Sequence, residues 1–282
     1  MKKVLYASFI AIAAMGFTFV GCKKDSTATA SGSDETVAAS DHEQAEHVSN
    51  DANNLADASA NTTSGGSFRS SGTSELEGGF SPCVKVTKKD SAGLHYVIID
   101  FGSTNCTCRD GRNRRGQILV SHNKGYFDST AVKTISFNNY YVNDNKIEGT
   151  KTVTNNGRNS AGHYSWTISD DIRITRTDGK FHTWKSTRNR EQINDGGTKF
   201  IVFDDTYSIT GGSTGTSING SVYSATITKA LIRHMSCQWI DEGTIDFAVT
   251  GKPTRTLDYG NGNCDSEASV SVNGKVYTIT LH

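Results

Sequence analysis

Residues 172–184, with the sequence IRITRTDGKFHTW, decide the fold of this chain. Apolar and polar residues alternate on both sides of Asp178-Gly179, a dipeptide that supplies the positive φ angles of a tight hairpin turn. Alternation with a period of two is typical of strands that are buried on one face. The stretch therefore predicts an antiparallel β-hairpin.

The same period continues through residues 79–282, where Thr, Ser, Val, Ile and Tyr dominate and suit a pleated surface. Further turn signals occur at Asn156-Gly157, Asn219-Gly220 and Asn273-Gly274. No part of this region shows a helical period. We expect an all-β antiparallel domain, either a sandwich or an extended meandering sheet, with about a dozen strands. The alternating apolar positions include Tyr164, Trp166 and Ile168; Tyr223, Ala225 and Ile227; Ile245, Phe247 and Val249; and Tyr277, Ile279 and Leu281.

Two parts of this domain match at a constant offset of 158 residues. We interpret the match as an internal repeat, with copies near residues 83–121 and 237–281. The matched blocks are residues 99–102 (IDFG) with 257–260 (LDYG), Asn105-Cys106 with Asn263-Cys264, and residues 116–118 (GQI) with 274–276 (GKV).

The repeat sorts the cysteines of the domain. Cys83 lies 23 residues before Cys106, and Cys237 lies 27 residues before Cys264. In an oxidising compartment this arrangement predicts one disulfide in each copy, Cys83–Cys106 and Cys237–Cys264. Cys108 is then left over, because its counterpart in the second copy is a serine. A Cys83–Cys108 bridge with Cys106 unpaired is the alternative.

The N-terminus has the layout of a secretory signal. Two lysines follow Met1, residues 4–20 carry no charge, and Gly21-Cys22 precedes an abrupt polar stretch. The cysteine behind a small residue resembles the lipobox of bacterial lipoproteins, in which the thiol receives a diacylglyceryl group. The resemblance implies a signal peptide at residues 1–21, lipidation of Cys22 and anchoring in a membrane. An uncleaved transmembrane helix and a signal peptide cut without lipidation are the alternatives.

The anchor also implies a location. Lys23 follows the cysteine where an aspartate would favour the inner membrane of enteric bacteria, so we expect the outer membrane, on its periplasmic face or at the cell surface. The start Cys-Lys-Lys-Asp at residues 22–25, a long polar segment and a C-terminal β domain together resemble lipoproteins of the Bacteroidetes type. That resemblance concerns the order of the segments along the chain, and it implies no particular activity.

Residues 22–78 are rich in Ala, Ser, Thr, Asn and Asp and have almost no large apolar side chains. Such a segment buries too little surface to offset its ordering entropy, so we expect a disordered tether. The chain has five basic and ten acidic residues before position 79, and 24 basic and 19 acidic residues after it. This weak positive surplus, with an export signal, argues against a nucleic-acid partner. His42 and His47 could hold a metal loosely, but a solvated polar run is the simpler interpretation.

The domain carries no recognisable catalytic, phosphate-binding or metalloprotease motif, and we predict no cofactor and no metal site. Residues 258–267 offer oxygen ligands suited to calcium, although a polar turn explains them equally. The acid pairs at residues 170–171, 204–205 and 241–242 could serve a glycosidase, although solvated loops are the simpler interpretation. Two basic clusters could contact phosphorylated sugars or lipid headgroups, or could be solvated or salt-bridged on the sheet surface: Arg109, Arg112, Arg114 and Arg115, and Arg188 with Arg190. Five aromatic residues could form a glycan-stacking surface, although core and cross-strand packing is the commoner role of Trp and Tyr in strands: Tyr140, Tyr141, Trp166, Trp184 and Trp239.

From these features we expect a non-enzymatic binding or scaffolding domain at the cell envelope. Its partners would be the membrane, through the anchor at Cys22, and an envelope protein or a glycan. An envelope polysaccharide hydrolase and a purely structural envelope protein are the alternatives.

Overall fold

The computed structural model describes residues 28–29, 34–61, 80–197 and 204–281. In this part of the chain, fifteen strands form one sheet, and a 25-residue helix packs against it. The helix is α1 (Val37–Asn61). The strands are β1 (Ala28–Thr29), β2 (Lys85–Ser91), β3 (Leu94–Asp100), β4 (Cys106–Thr107), β5 (Asn113–His122), β6 (Val132–Val142), β7 (Asn145–Arg158), β8 (Tyr164–Thr175), β9 (Phe181–Asn194), β10 (Thr206–Thr216), β11 (Val222–His234), β12 (Glu242–Val249), β13 (Arg255–Asn261), β14 (Glu267–Val272) and β15 (Lys275–Thr280).

The sheet is an open antiparallel meander. From β2 through β3 and β5 to β15, each strand pairs with the next one along the chain. The short strand β4 pairs with β5 beside this path, and β1 adds in parallel to β15 at the far edge. The all-β prediction is confirmed, and of its two forms the extended meandering sheet is the one observed.

The hairpin predicted at residues 172–184 joins β8 to β9. Ile174 lies opposite His182, and Ile172 lies opposite Trp184, so both pairs face the interior. Gly179 has a φ of +81°, and Arg176 and Lys180 close the turn through a backbone hydrogen bond of 2.8 Å. The antiparallel hairpin predicted from residues 172–184 is therefore confirmed.

Two of the three Asn-Gly signals mark turns, and one does not. Asn219-Gly220 joins β10 to β11, and Asn273-Gly274 joins β14 to β15. Asn156-Gly157 instead lies inside β7, where the register with β8 shifts. The Asn155 side chain accepts a hydrogen bond from the Gly157 amide at 2.6 Å and donates one to the Tyr126 carbonyl at 2.8 Å. The prediction of a turn here is wrong, because these bonds make the dipeptide a bulge.

Helix α1 lies inside the curled sheet. Between residues 35 and 59 no side chain is exposed. A helix on a flat sheet would expose its outer face, and α1 contacts strands from β3 to β12. Eight strand spacings separate these two strands, about 38 Å if the sheet were flat. The sheet therefore curls around the helix and places a polar helix where a hydrophobic core would be expected.

This helix corrects the expectation that residues 22–78 form a disordered tether. Seven alanines favour a helix over residues 37–61. Its apolar stripe is made mostly of alanine (Ala38, Ala45, Ala52 and Ala56, with Val48 and Leu55), and many of its other buried side chains are charged and pair with strand residues of opposite charge. Apart from residues 28–29 and 34–61, the segment lies outside the described residues, as does Cys22.

The four cysteines assigned by the repeat lie at disulfide distance in the predicted pairs. The Cα atoms of Cys83 and Cys106 are 5.9 Å apart, and those of Cys237 and Cys264 are 5.6 Å apart. Cys108 is buried outside both pairs, with its sulfur 3.6 Å from the Cys106 carbonyl oxygen. The alternative Cys83–Cys108 bridge is not formed.

The repeat itself holds over its first two blocks and fails over the third. Asp100 accepts a hydrogen bond from the Gly102 amide at 2.8 Å, and Asp258 does the same for Gly260 at 2.8 Å, so both copies share this local bond, although β3 ends at Asp100 and β13 continues to Asn261. Gly116, however, lies within β5, whereas its supposed counterpart lies in the turn between β14 and β15. The third block of matching residues is therefore not structurally equivalent.

Candidate functional site

The acidic residues of α1 pair with basic residues that the strands direct inward. Arg114 of β5 donates to Asp51 at 2.8 Å, and Arg188 of β9 lies 3.3 Å from Glu46. Charges removed from water are costly unless they are paired in this way. Similar contacts along the helix are Glu35 with Arg255, Asp41 with Arg176, Glu43 with Tyr259, and Asp57 with Lys133.

His42 is fully buried at the centre of this network, so the interpretation of residues 42–47 as a solvated run is wrong. Trp184 donates from its indole nitrogen to His42 Nδ1 at 3.1 Å, which leaves Nε2 to donate to Glu46 at 3.1 Å. Burial lowers the pKa of His42, and so favours its neutral form. His42 therefore helps to hold α1 in register with β9.

A cavity of about 510 Å³ lies between the C-terminal half of α1 and the concave face of the sheet. It extends from β3 to β11 and borders the loop at residues 123–131. Its volume falls in the range of about 300–1,000 Å³ that is usual for small-molecule sites. Its apolar wall includes Val97, Val120, Val153, Ile168, Ile209 and Met235.

Six basic side chains and three carboxylates also line the cavity, so its wall is positively charged. The basic ones are Lys124, Lys133, Lys151, Arg188, Arg190 and Arg233, and the acidic ones are Glu46, Asp57 and Asp170.

Each of the three carboxylates already has its own cation. Asp57 pairs with Lys133, and Asp170 lies 3.2 Å from Lys151 while accepting a hydrogen bond from Ser186 at 2.8 Å. Glu46 pairs with Arg188, and Arg188 and His42 lower the pKa of Glu46 to about 2 against the opposing effect of burial. Each of these three ion pairs is neutral, so together they add no net charge to the wall of the cavity.

Arg190 and Arg233 have no such counter-ion. Among the described residues, no carboxylate oxygen lies within 4 Å of either guanidinium, and neither buried Nε atom has a hydrogen-bond partner. Burial and the proximity of Arg190 lower the pKa of Arg233 to about 10. Arginine keeps its proton at neutral pH, so two positive charges without an ion pair face the cavity, influenced only at longer range by acids such as Asp205 and Asp241.

An aromatic wall holds Arg190 in place. Its guanidinium carbon lies 5.2 Å from the ring centroid of Trp166 and 4.8 Å from that of Tyr207. Arg190 Nη2 donates a hydrogen bond to the Tyr126 hydroxyl at 2.8 Å. Tyr207 also pairs across the strands with Arg233, so the two arginines flank one tyrosine. Stacked guanidinium groups of this kind keep a fixed orientation toward a ligand.

A third arginine contributes further donors. Arg188 is only 4% exposed, and its Nε and Nη1 atoms have no hydrogen-bond partner among the described residues, although Nη2 faces Glu46. The indole nitrogen of Trp166, a residue 1% exposed, likewise has no partner in this part of the chain. Buried donors without acceptors cost free energy, and these three arginines and Trp166 place five such nitrogen atoms beside one cavity.

The other sequence candidates do not converge on a site. Asp170 faces inward and Asp171 faces solvent, where it pairs with Lys185 at 2.8 Å, so this acid pair is split between the two faces. Asp205 accepts from Tyr207 at 2.8 Å, and Asp241 lies 2.8 Å from His234. Asp205 does have acidic neighbours, since burial and then Asp204 and Asp195 raise its pKa, but it lies outside the lining of the cavity.

The proposed glycan-stacking surface is also not formed. Tyr140, Trp166 and Trp184 are buried, and Tyr141 lies under Arg115. Asp258 and Asp265, in the loop considered for calcium, accept hydrogen bonds from backbone amides two residues ahead. In the described part of the chain, no cluster of three or more His, Cys, Asp or Glu residues is arranged to bind a metal ion.

Sequence reasoning singled out Arg188 and Arg190 but missed Arg233 and the cavity. The sequence did indicate that Arg188 and Arg190 point inward, because they lie on the same face of β9 as the buried Trp184.

Comparison with protein families, curated proteins and solved structures found no match in any of the three. In the described part of the chain, no helix is both long enough and apolar enough to cross a membrane.

Proposed function

We propose that this protein is a lipid-anchored protein of the bacterial outer membrane whose β domain binds a small molecule in the cavity beside α1, without catalysing a reaction. The observation that carries the proposal is the cavity of about 510 Å³ with two uncompensated arginines on its wall. If this region served only to stabilise the fold, apolar side chains that filled the cavity and replaced the two arginines would make the protein more stable.

The position of the aromatic residues favours this proposal over the recognition of a glycan on an exposed surface. Trp184 is 2% exposed and is held by His42, so it cannot stack on a sugar at the surface. A partner protein in the envelope remains a prediction, since the lipobox at Cys22 still implies a membrane location.

Binding in the cavity can be tested with the neutral fluorescent probe N-phenyl-1-naphthylamine and the full chain kept soluble in an amphipathic polymer. We expect saturable fluorescence from one site per chain. Val153→Trp fills the cavity and should abolish that signal, with Ile168→Phe as a second blocking variant. Val276→Trp, on an exposed part of β15, is the matched control. Equal fluorescence from the blocked, folded variants and the control would refute binding in the cavity.

The anchor requires a separate test. Cells grown with labelled palmitate should incorporate the label into the full chain and not into Cys22→Ser. Cys108→Ser is the control, because it removes a thiol that the lipobox does not involve. Retention of the label in Cys22→Ser would exclude lipidation at this residue.

A further inference from the structure

We infer that the ligand of this cavity is a single-chain amphiphile with an anionic oxygen head group, a carboxylate or a phosphate monoester, bound by Arg190 and Arg233. This inference rests on the proposed function, because it names the class of ligand for the same cavity. Two properties of the wall carry it, one electrostatic and one apolar.

The electrostatic property is a surplus of donors. The three lining carboxylates are paired with three other basic groups, which leaves Arg190 and Arg233 to face the cavity. Each guanidinium still offers its Nε–H, and Arg188 adds two donors. An anionic head group with two or three oxygens would satisfy these donors and compensate the charge, whereas a neutral ligand would leave the charge in place.

The apolar property is the rest of the wall. Aliphatic side chains from β3, β5, β7, β8 and β10, among them Val120, Val153 and Ile168, line the cavity away from the arginines. A hydrocarbon chain can occupy this part without forfeiting hydrogen bonds. Affinity should rise about fourfold for each added methylene until the apolar space is filled.

Lys124 offers a rival place for the head group. It is exposed at the edge of the cavity, and its amine donates to Thr130 Oγ1 at 2.7 Å. Because that charge is already hydrated, it gains less from an anion than the buried guanidinium groups do. We therefore expect the head group to lie at Arg190 and Arg233 and the hydrocarbon chain to extend toward the exposed edge of the cavity at Lys124.

The test is displacement of N-phenyl-1-naphthylamine from the full chain by dodecanoate, dodecyl phosphate and dodecanol. We expect at least one of the two anions to bind about tenfold or more tightly than dodecanol, and their ratio identifies the preferred head group. Arg190→Met and Arg233→Met should each bring the affinities for the anions and for dodecanol to within a few-fold of each other, so the readout is the ratio of the two affinities within each variant. The matched controls are Lys185→Met on β9 and Lys229→Met on β11, whose side chains pair with acids outside the cavity.

The outcomes separate the two proposals. If the probe does not bind in the cavity, the proposed function fails. If the probe binds and dodecanol displaces it as well as both anions do, the inference about the ligand is overturned while the proposed function stands. A loss of anion preference in Lys124→Met, and not in the arginine variants, would overturn the assigned position of the head group.

Discussion

Arg114 of β5 donates a hydrogen bond to Asp51 of α1 at 2.8 Å, and this arginine has no exposed surface. Asp110 accepts two more of its hydrogen bonds, at 2.6 and 2.9 Å. The helix is thus connected to the sheet by ionic contacts in the interior rather than by apolar packing alone.

Arg114→Met should lower the free energy of unfolding by about 3 kcal/mol, because it removes the nearest cation of the buried Asp51 and leaves only the longer contact with Arg112, at 3.4 Å. Urea unfolding followed by circular dichroism measures this loss. Arg115→Met is the matched control on the next residue, whose partner Asp144 is exposed, and it should cost about 1 kcal/mol or less. Equal effects of the two variants would show that the buried pair does not stabilise α1.

Glu43 should make stability fall as the pH rises. Burial and the nearby Glu46 raise its pKa to about 8 from an ordinary value of 4.5. The folded protein therefore keeps a proton that the unfolded chain loses between these values. This contribution to stability is complete below about pH 4.5 and is lost as the pH approaches 8.

The comparison of wild type with Glu43→Gln at pH 5 and pH 8 tests this dependence. We expect the wild type to lose a few kcal/mol more than the variant between these two values. Asp171→Asn, which changes an exposed carboxylate, should retain the wild-type pH dependence. If Glu43→Gln retains it too, Glu43 is ionised in the folded protein.

Arg233→Met should stabilise the ligand-free protein, because it removes a buried charge that has no counter-ion. We expect the melting temperature to rise by about 2–4 °C, the effect of about 1 kcal/mol in a domain of this size. Arg188→Met should instead lower the melting temperature, because it leaves Glu46 uncompensated. A lower melting temperature for Arg233→Met would assign this arginine to the structure rather than to a ligand.

The two disulfides should each stabilise the fold by about 3 kcal/mol, since they close loops of 23 and 27 residues. Cys83→Ala and Cys237→Ala should both show this loss, and Cys108→Ala should show a smaller one. Peptide mapping without reduction should recover Cys83 with Cys106 and Cys237 with Cys264. A peptide that links Cys83 to Cys237 would contradict both the pairing and the repeat.

The strands were predictable from sequence because their signal is local. Alternation at residues such as Ile245, Phe247 and Val249 places them on the buried face, and Asp178-Gly179 forms the expected turn. The cysteine pairs followed from comparing two parts of the chain. Asn156-Gly157 misled because the same dipeptide fits a bulge as well as a turn, and only the bonds of Asn155 decide between them.

The helix and the cavity were not predictable by the same means. The apolar stripe of α1 is mostly alanine and so too small to stand out in a polar segment. Its polar side chains Asp41, His42 and Asp51 are buried through partners more than sixty residues away. The alternating pattern of a strand also does not show whether an arginine points into the cavity or into solvent, so the roles of Arg190 and Arg233 could not be predicted. The surplus of acid before residue 79 and of base after it was the one trace of this complementarity in the sequence.

The central claim is that residues 37–61 form an internal helix that supplies one wall of a ligand cavity. Hydrogen–deuterium exchange of the full chain tests it most directly. We predict that amides of α1 exchange as slowly as those of β9, since both are hydrogen-bonded and buried. Complete exchange of residues 37–61 within seconds, while β9 stays protected, would show a disordered segment and contradict the account.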